Sequence, residues 1–253
     1  MSTSKYSAGI HAVSRLVRSM PDKVRRLYID ERSKNPRLSA LREVAREAGI
    51  PSQGARSHRL NDMAQGTAHQ GVIAELTGLP SYDEAALRDL VEHALGEGEA
   101  PLVLVLAGVQ DPHNLGACLR TAEAAGVLAV VVPREKAASL SPAARKVASG
   151  AAEVIPLVSV PSLAKTLDWL SSYGFLCVAT SDRAKDSIHA SDLTRATALV
   201  MGTEGEGLSD DLMQRCDTTA YIPMAGVVES LNVSVATGVC LYEAVRQRLA
   251  AKD

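Results

Sequence analysis

The sequence predicts an α/β protein in two parts, a parallel-sheet domain over 101–253 and a small α/β domain over 1–77. Three observations predict it. Four continuous apolar runs, LVLVLA (102–107), LAVVV (128–132), FLCVAT (175–180) and ALVMG (198–202), have the composition of strands buried on both faces of a parallel sheet. Helical segments lie between and after them, at 114–125, 141–150, 161–172, 209–215 and 232–250, and strands alternating with helices mean a doubly wound domain. The charge is also divided: residues 1–77 hold 13 Lys and Arg against 7 Asp and Glu, whereas 99–253 hold 13 against 17.

Within the first part, GIHAVSRLVRSM predicts an amphipathic helix with Ile10, Val13, Leu16 and Val17 on one face. VRRLYID (24–30) predicts a strand. Leu38 to Ala48 predicts a second helix, stopped by Gly49 in the C′ position. GVIAEL (71–76) predicts the last strand. Residues 78–100 read as an acidic linker with Gly78, Pro80, Gly96 and Gly98, carrying one helical stretch marked by Leu87, Leu90, Val91 and Ala94.

Composition narrows the function. Aromatics are only 3% of the chain, which argues against nucleic-acid recognition by broad stacking platforms. Cys118, Cys177, Cys216 and Cys240 are far apart in sequence, so no CxxC pattern exists and no metal site is expected. No apolar run is long enough to span a bilayer and the first residues lack a signal-peptide layout, so a cytoplasmic location away from membranes is expected. The net charge of −2 hides the basic N-terminal part, whose excess of cations fits a polyanion-binding module or, equally, a solvated basic surface.

Three segments place polar residues where a strand ends and a helix begins, the position at which open α/β sheets bind ligands. In DPHNLGACLRTAEAAG (111–126), Asn114 is placed to cap a helix and Arg120 follows two turns in, suited to a phosphate or carboxylate partner. In LVMGTEGEGLS (199–209), closely spaced glycines let backbone approach a ligand. A dinucleotide phosphate loop is the rival there. The spacing GxxGxG, the late position in the domain and the acids Glu204 and Glu206 all count against it and favour a neutral or cationic ligand. In IPMAGVVESLNVSVATGVCLYEAV (222–245), either Ser230 or Asn232 can cap the last helix, leaving the other for the cleft.

Together and in this order, the three segments resemble the motifs of the SpoU family of RNA ribose 2′-O-methyltransferases, part of the SPOUT superfamily, and the likeness extends to GIHAV and HQGVIAEL in the N-terminal part. The resemblance implies a C-terminal SPOUT domain with a deep trefoil knot that binds S-adenosylmethionine. It implies an N-terminal RNA-binding domain like those of ribosomal proteins, and a homodimer formed through the C-terminal domains with the last helix near the interface. It implies catalytic roles for Asn114, Arg120, Glu204, Ser230 and Asn232, and cofactor contacts from Gly202, Ile222, Met224, Ser230 and Leu231. The separate N-terminal domain favours methylation of a guanosine ribose in 23S rRNA. A tRNA ribose methyltransferase of the same superfamily and a catalytically silent rRNA-binding assembly factor remain the alternatives. A guanidinium keeps its proton at neutral pH, so Arg120 is expected to stabilise a developing alkoxide or hold a phosphate rather than take a proton.

Overall fold

The computed structural model describes residues 6–251 apart from 65, 67, 78–81, 136, 204 and 206. The chain forms two compact units, one drawn from residues 1–80 and 141–154, the other from 81–140 and 155–253.

The first unit contains β1 (Tyr6–Ala8), α1 (Ile10–Ser19), β2 (Val24–Asp30), α2 (Pro36–Glu47), β3 (Ser52–Ala55), α3 (Ser57–Ala64) and β4 (Val72–Leu76). The strands make one sheet in the order β1-β4-β2-β3; β4 runs antiparallel to both β1 and β2, and β3 is parallel to β2. The predicted face of α1 is the buried one, with Ile10, Val13, Leu16 and Val17 packed against Leu27, Ile29 and Ala74. Helix α2 starts two residues before the predicted Leu38, because Asn35 accepts from the Arg37 N–H and Pro36, at the first helical position, has no N–H to leave unpaired. Gly49, at φ 71°, ends it as expected. Strands β1 and β3 and helix α3 were not foreseen: β1 has three residues, and SQGA in β3 is mostly exposed and carries no apolar pattern.

Residues 141–154 join this unit through helix α6 (Pro142–Ala148) and a short 3-10 turn. Glu153, only 4% exposed, accepts from Arg145 at 3.0 Å and from Ser7 at 3.4 Å. Burial pushes its carboxyl up from the usual value, against the pull of Arg145. Gly150 allows the close approach: φ is 95°, and a Cβ there would lie 2.9 Å from the Ala12 Cα.

The second unit opens with α4 (Glu84–Gly96) and β5 (Leu102–Leu106), α5 (Pro112–Ala124) and β6 (Ala129–Pro133). After the excursion to the first unit come β7 (Leu157–Val160), α7 (Leu163–Ser172), β8 (Leu176–Thr180), β9 (Asp186–Ser187), β10 (Thr197–Met201), α8 (Asp210–Gln214), β11 (Thr218–Tyr221) and α9 (Val233–Ala250). The sheet order is β7-β6-β5-β10-β8-β11-β9 and every pair is parallel. The four predicted strands are its centre, and Val103, Val105, Val131 and Val200 are fully buried there. Leu87 and Val91 of α4 belong to the same core, so the acidic stretch read as a linker supplies a core helix.

The strand order fixes where a site can form. From β5 the chain steps outward through β6 to β7, and the later strands lie on the other side, with β10 between β5 and β8. The direction of winding therefore reverses between β5 and β10, and the crevice outside their carboxyl ends is the favoured ligand position in such sheets.

Candidate active site

The three polar segments leave the carboxyl ends of β5, β10 and β11. Because all strands are parallel, these ends share one edge of the sheet. The first two loops are neighbours, and the Ala107 N–H donates to the Met201 carbonyl at 2.9 Å.

Asn114 does not cap α5. Asp111 does, accepting from the His113 N–H at 2.9 Å, with Pro112 at the first helical position. That hydrogen bond, reinforced by the His113 imidazole at 3.2 Å, holds the Asp111 carboxyl below its ordinary range. Asn114 sits further into the first turn, and its Oδ1 accepts from Asn232 Nδ2 at 3.1 Å. Asn232, not Ser230, caps α9: its Oδ1 accepts from the Ser234 N–H at 2.9 Å and from Ser234 Oγ at 2.6 Å. One asparagine thus starts the last helix and ties it to α5. Deeper along the pair, Cys118 Sγ lies 3.6 Å from Thr237 Oγ1, and Gly238 faces Thr121. Small residues on both helices permit that close packing.

The second loop closes on itself, with Thr203 and Gly207 exchanging backbone hydrogen bonds at 3.0 and 3.2 Å. Gly202 is required for closure, since a Cβ there would fall on the Gly207 carbonyl carbon. Glu204 lies outside the described residues.

A cavity of about 330 Å³ opens among Gly108, Val109, Gln110, Asp111, Asn114, Thr203 and Val233, at the lower end of the range for small-molecule pockets, roughly 300–1,000 Å³. Its described lining has one acid, two carboxamides and no cation, a donor set that fits a ligand with a positive or neutral face. Of the sequence-predicted residues, Asn114 lines it and Asn232 is bonded to that lining. The others, apart from Glu204, which lies outside the described residues, are not in its lining. Arg120 is exposed on the outer side of α5, opposite the buried Leu119 and Ala122. Ser230 is exposed, Ile222 and Leu231 are half-buried, and Met224 is 37% exposed. Gly108, Val109, Thr203 and Val233 were not singled out from sequence. Gly108, directly after a predicted strand run and at φ 129°, carried the clearest signal. Among the described residues no group of His, Cys, Asp and Glu could hold a metal ion, and no helix is long and apolar enough to cross a membrane.

The SpoU rRNA Methylase family profile matches residues 101–242, and the profile described as RNA 2′-O ribose methyltransferase substrate binding matches 8–82. The 23S rRNA (guanosine-2′-O-)-methyltransferase RlmB of Pseudomonas aeruginosa is 49% identical over 240 residues, and that of Pseudomonas putida 48%, each alignment covering 95% of both chains. Among solved structures, the SpoU methyltransferase AviRb from Streptomyces viridochromogenes in complex with AdoMet superposes with a TM-score of 0.76 at 27% identity, covering 97% of this chain and 90% of that one. The A. aeolicus TrmH/SpoU tRNA modifying enzyme gives 0.57 at 32% identity over 67% of this chain. The chain belongs to the SpoU rRNA methylase family.

Proposed function

We propose that the protein methylates the ribose 2′-hydroxyl of a guanosine in 23S rRNA, using S-adenosylmethionine. The observation that carries this is near-half identity to curated enzymes of that activity along 95% of both chains. The fit of the site supports it: the cavity at the β5/β10 crevice, lined by Gly108, Val109, Gln110 and Thr203 among others, has no cation among its described lining residues and suits a sulfonium. When bound, S-adenosylmethionine supplies an electrophilic methyl group and its own leaving group, so the protein needs no metal.

The residues then have positional work. Asn114 and Asn232 fix the start of α9 against α5 at the rim of the cavity. Gly202, Ile222, Met224, Ser230 and Leu231 belong to the loops we assign to cofactor contact, and we assign Glu204, with Ser230, to the catalytic group that positions Arg120, the ribose and the methionine end of the cofactor. Arg120 is exposed on α5. We assign it to the developing alkoxide or the adjacent phosphate, where a preorganised cation stabilises charge as it forms. Holding the hydroxyl oxygen, methyl and sulfur in line can contribute up to roughly 7–11 kcal/mol.

The same reading extends to architecture. The loops after β10 and β11 form the trefoil knot of the family, and residues 1–77 act as an RNA-binding domain of ribosomal-protein type. A homodimer forms through the C-terminal domain. Val235, Tyr242 and Leu249 are 52%, 51% and 61% exposed and recur every seven residues along α9, an apolar stripe that a second copy would cover. The cytoplasm, where rRNA is made, is the expected location.

The test uses radiolabelled S-adenosylmethionine with purified protein, unmodified 23S rRNA and unmodified tRNA. Modified nucleotides are mapped by resistance to alkaline cleavage, which needs a free 2′-hydroxyl. Label at one guanosine of 23S rRNA, lost in Arg120→Ala, is the expected result. Label confined to tRNA would overturn the substrate assignment. An Arg120→Lys variant with near-full activity and a shifted pH optimum would overturn the electrostatic role.

A further inference from the structure

We propose that the N-terminal unit grips the RNA backbone along one edge of its sheet, where loop 31–35, the start of α3 and loop 68–71 meet. The inference rests on the functional reading above for the identity of the polyanion and goes beyond it by naming the surface. Topology brings the three segments together. Strands β2 and β3 are parallel, so their carboxyl ends share an edge, and β4 runs the other way, so its amino end lies there too. Hydrogen bonds knit the edge: the Glu31 N–H donates to the Ala55 carbonyl at 3.2 Å, the Asp30 N–H to the Gly71 carbonyl at 2.9 Å, and Ser57 Oγ to Asp30 Oδ2 at 2.6 Å.

Arg32, Lys34, Arg37, Arg56 and His58 project from this edge and all are exposed. Among the described residues, none of the four Arg and Lys side chains has a carboxylate partner. The far edge differs. There Lys23 pairs with Asp22 at 3.1 Å, Arg25 with Glu75 at 3.6 Å and Arg46 with Glu43 at 3.0 Å. Among the described residues the acids at the near edge form no salt bridge with these cations, and Asp30 acts on the Arg32 side chain only through the field between them. Asp30 is occupied by Ser57 and the Arg32 N–H, and the Glu31 side chain lies over Gly54. Cations without internal partners, gathered on a braced rim, are what phosphate binding needs: each neutralised phosphate releases condensed counterions, and a rigid rim loses little freedom on binding.

The test compares two charge-matched triple variants binding an unmodified 23S rRNA transcript across a salt series. The near-edge triple is Arg32→Ala/Lys34→Ala/Arg56→Ala, and the far-edge triple is Lys23→Ala/Arg25→Ala/Arg46→Ala. Losing three phosphate contacts should make the slope of log K against log salt shallower by about 2 and weaken binding more than tenfold at physiological salt. The far-edge triple should stay within about twofold of wild type on the same counterion-release argument. An Arg32→Lys/Arg56→Lys variant, which keeps the charge, should retain the slope. Unchanged S-adenosylmethionine affinity and thermal midpoint report that each variant is folded. Equal slopes for the two triples, or a wild-type slope in the near-edge triple, would overturn the proposal. If wild type transfers methyl to 23S rRNA while the near-edge triple binds normally, the surface is wrong and the function stands. If wild type binds through this edge and transfers nothing, the function is wrong and the surface stands.

Discussion

Asn232 has two tasks that substitution can separate. Its Oδ1 caps α9 through Ser234, and its Nδ2 donates to Asn114 at the rim of the cavity. Asn232→Ala removes both. Loss of the cap costs about 1 kcal/mol, and loss of the hydrogen bond between the helices about 1 more. A total near 2 kcal/mol corresponds to a fall in Tm of about 4–8 °C for a domain of this size. Asn232→Asp keeps the capping oxygen and adds a negative charge at a helix N-terminus, which is favourable by about 0.3–1 kcal/mol. Its Tm should therefore stay within about 3 °C of wild type. It nonetheless loses the donor to Asn114 and sets a carboxylate against the Asn114 amide oxygen. If that link positions the reacting groups, single-turnover methyl transfer falls at least tenfold, about 1.4 kcal/mol, with the fold intact. Calorimetry and single-turnover transfer on both variants decide the matter. An Asn232→Asp protein that transfers methyl at the wild-type rate would refute the positional role, and an Asn232→Ala protein no less stable than Asn232→Asp would refute the capping one.

Three further outcomes follow from the same geometry. Gly202→Ala forces a Cβ onto Gly207, so S-adenosylmethionine affinity measured by calorimetry should fall more than tenfold while the N-terminal unit still binds RNA. Glu243 accepts from Arg246, Gln247 and His189, and Arg246 foremost holds its carboxyl down to about 2. A depressed carboxyl contributes stability that is present above the unfolded value near 4.3 and lost as pH falls toward 2. With Arg246 and His189 facing solvent, about 1–2 kcal/mol should be lost in Glu243→Gln at pH 7 and the two proteins should converge near pH 2, as read from urea midpoints. Arg145→Ala strands the buried Glu153 carboxylate and should destabilise the first unit by roughly 3 kcal/mol. Since burial raises the Glu153 carboxyl, its ionised form is the strained one; the deficit should be small below about pH 4, grow as pH rises, and vanish in Arg145→Ala/Glu153→Gln.

What the sequence made legible was what two-sided burial writes into composition. The runs at 102–107, 128–132, 175–180 and 198–202 are almost wholly apolar because both faces of the sheet are covered, and α1 shows its buried face because the other meets water. The strands it hid are short, peripheral or part-exposed: LVSV in β7 and the two residues of β9 form the sheet's edges, and TTAY in β11 is half-exposed. In the site, the cap of α5 was placed at Asn114 when Asp111 holds it. The signal was present, since Pro112 fits only the first helical position and so makes its predecessor the cap. The outward side of Arg120 was also within reach: Leu115, Cys118, Leu119 and Ala122 define one helical face, and residue 120 falls off it.

Sequence reasoning could not supply the strand order, and the order is what makes the site. The segments at 111–126 and 199–209 are separated by 72 residues, yet they meet because β10 lies between β5 and β8. The third segment leaves β11, two strands from β10, and reaches the cavity only through α9. That helix is held at both ends. Asn232 bonds to Asn114 at its start, while near its end Gln247 bonds to Leu193 and Ser191 and Arg248 donates to the carbonyls of Ala100, Leu193 and Arg195. Since α9 packs along α5 through small residues, freeing either end lets it slide or rotate against α5 and carries Val233 away from the cavity wall. The distant anchor therefore belongs to the construction of the site as much as Asn232 does.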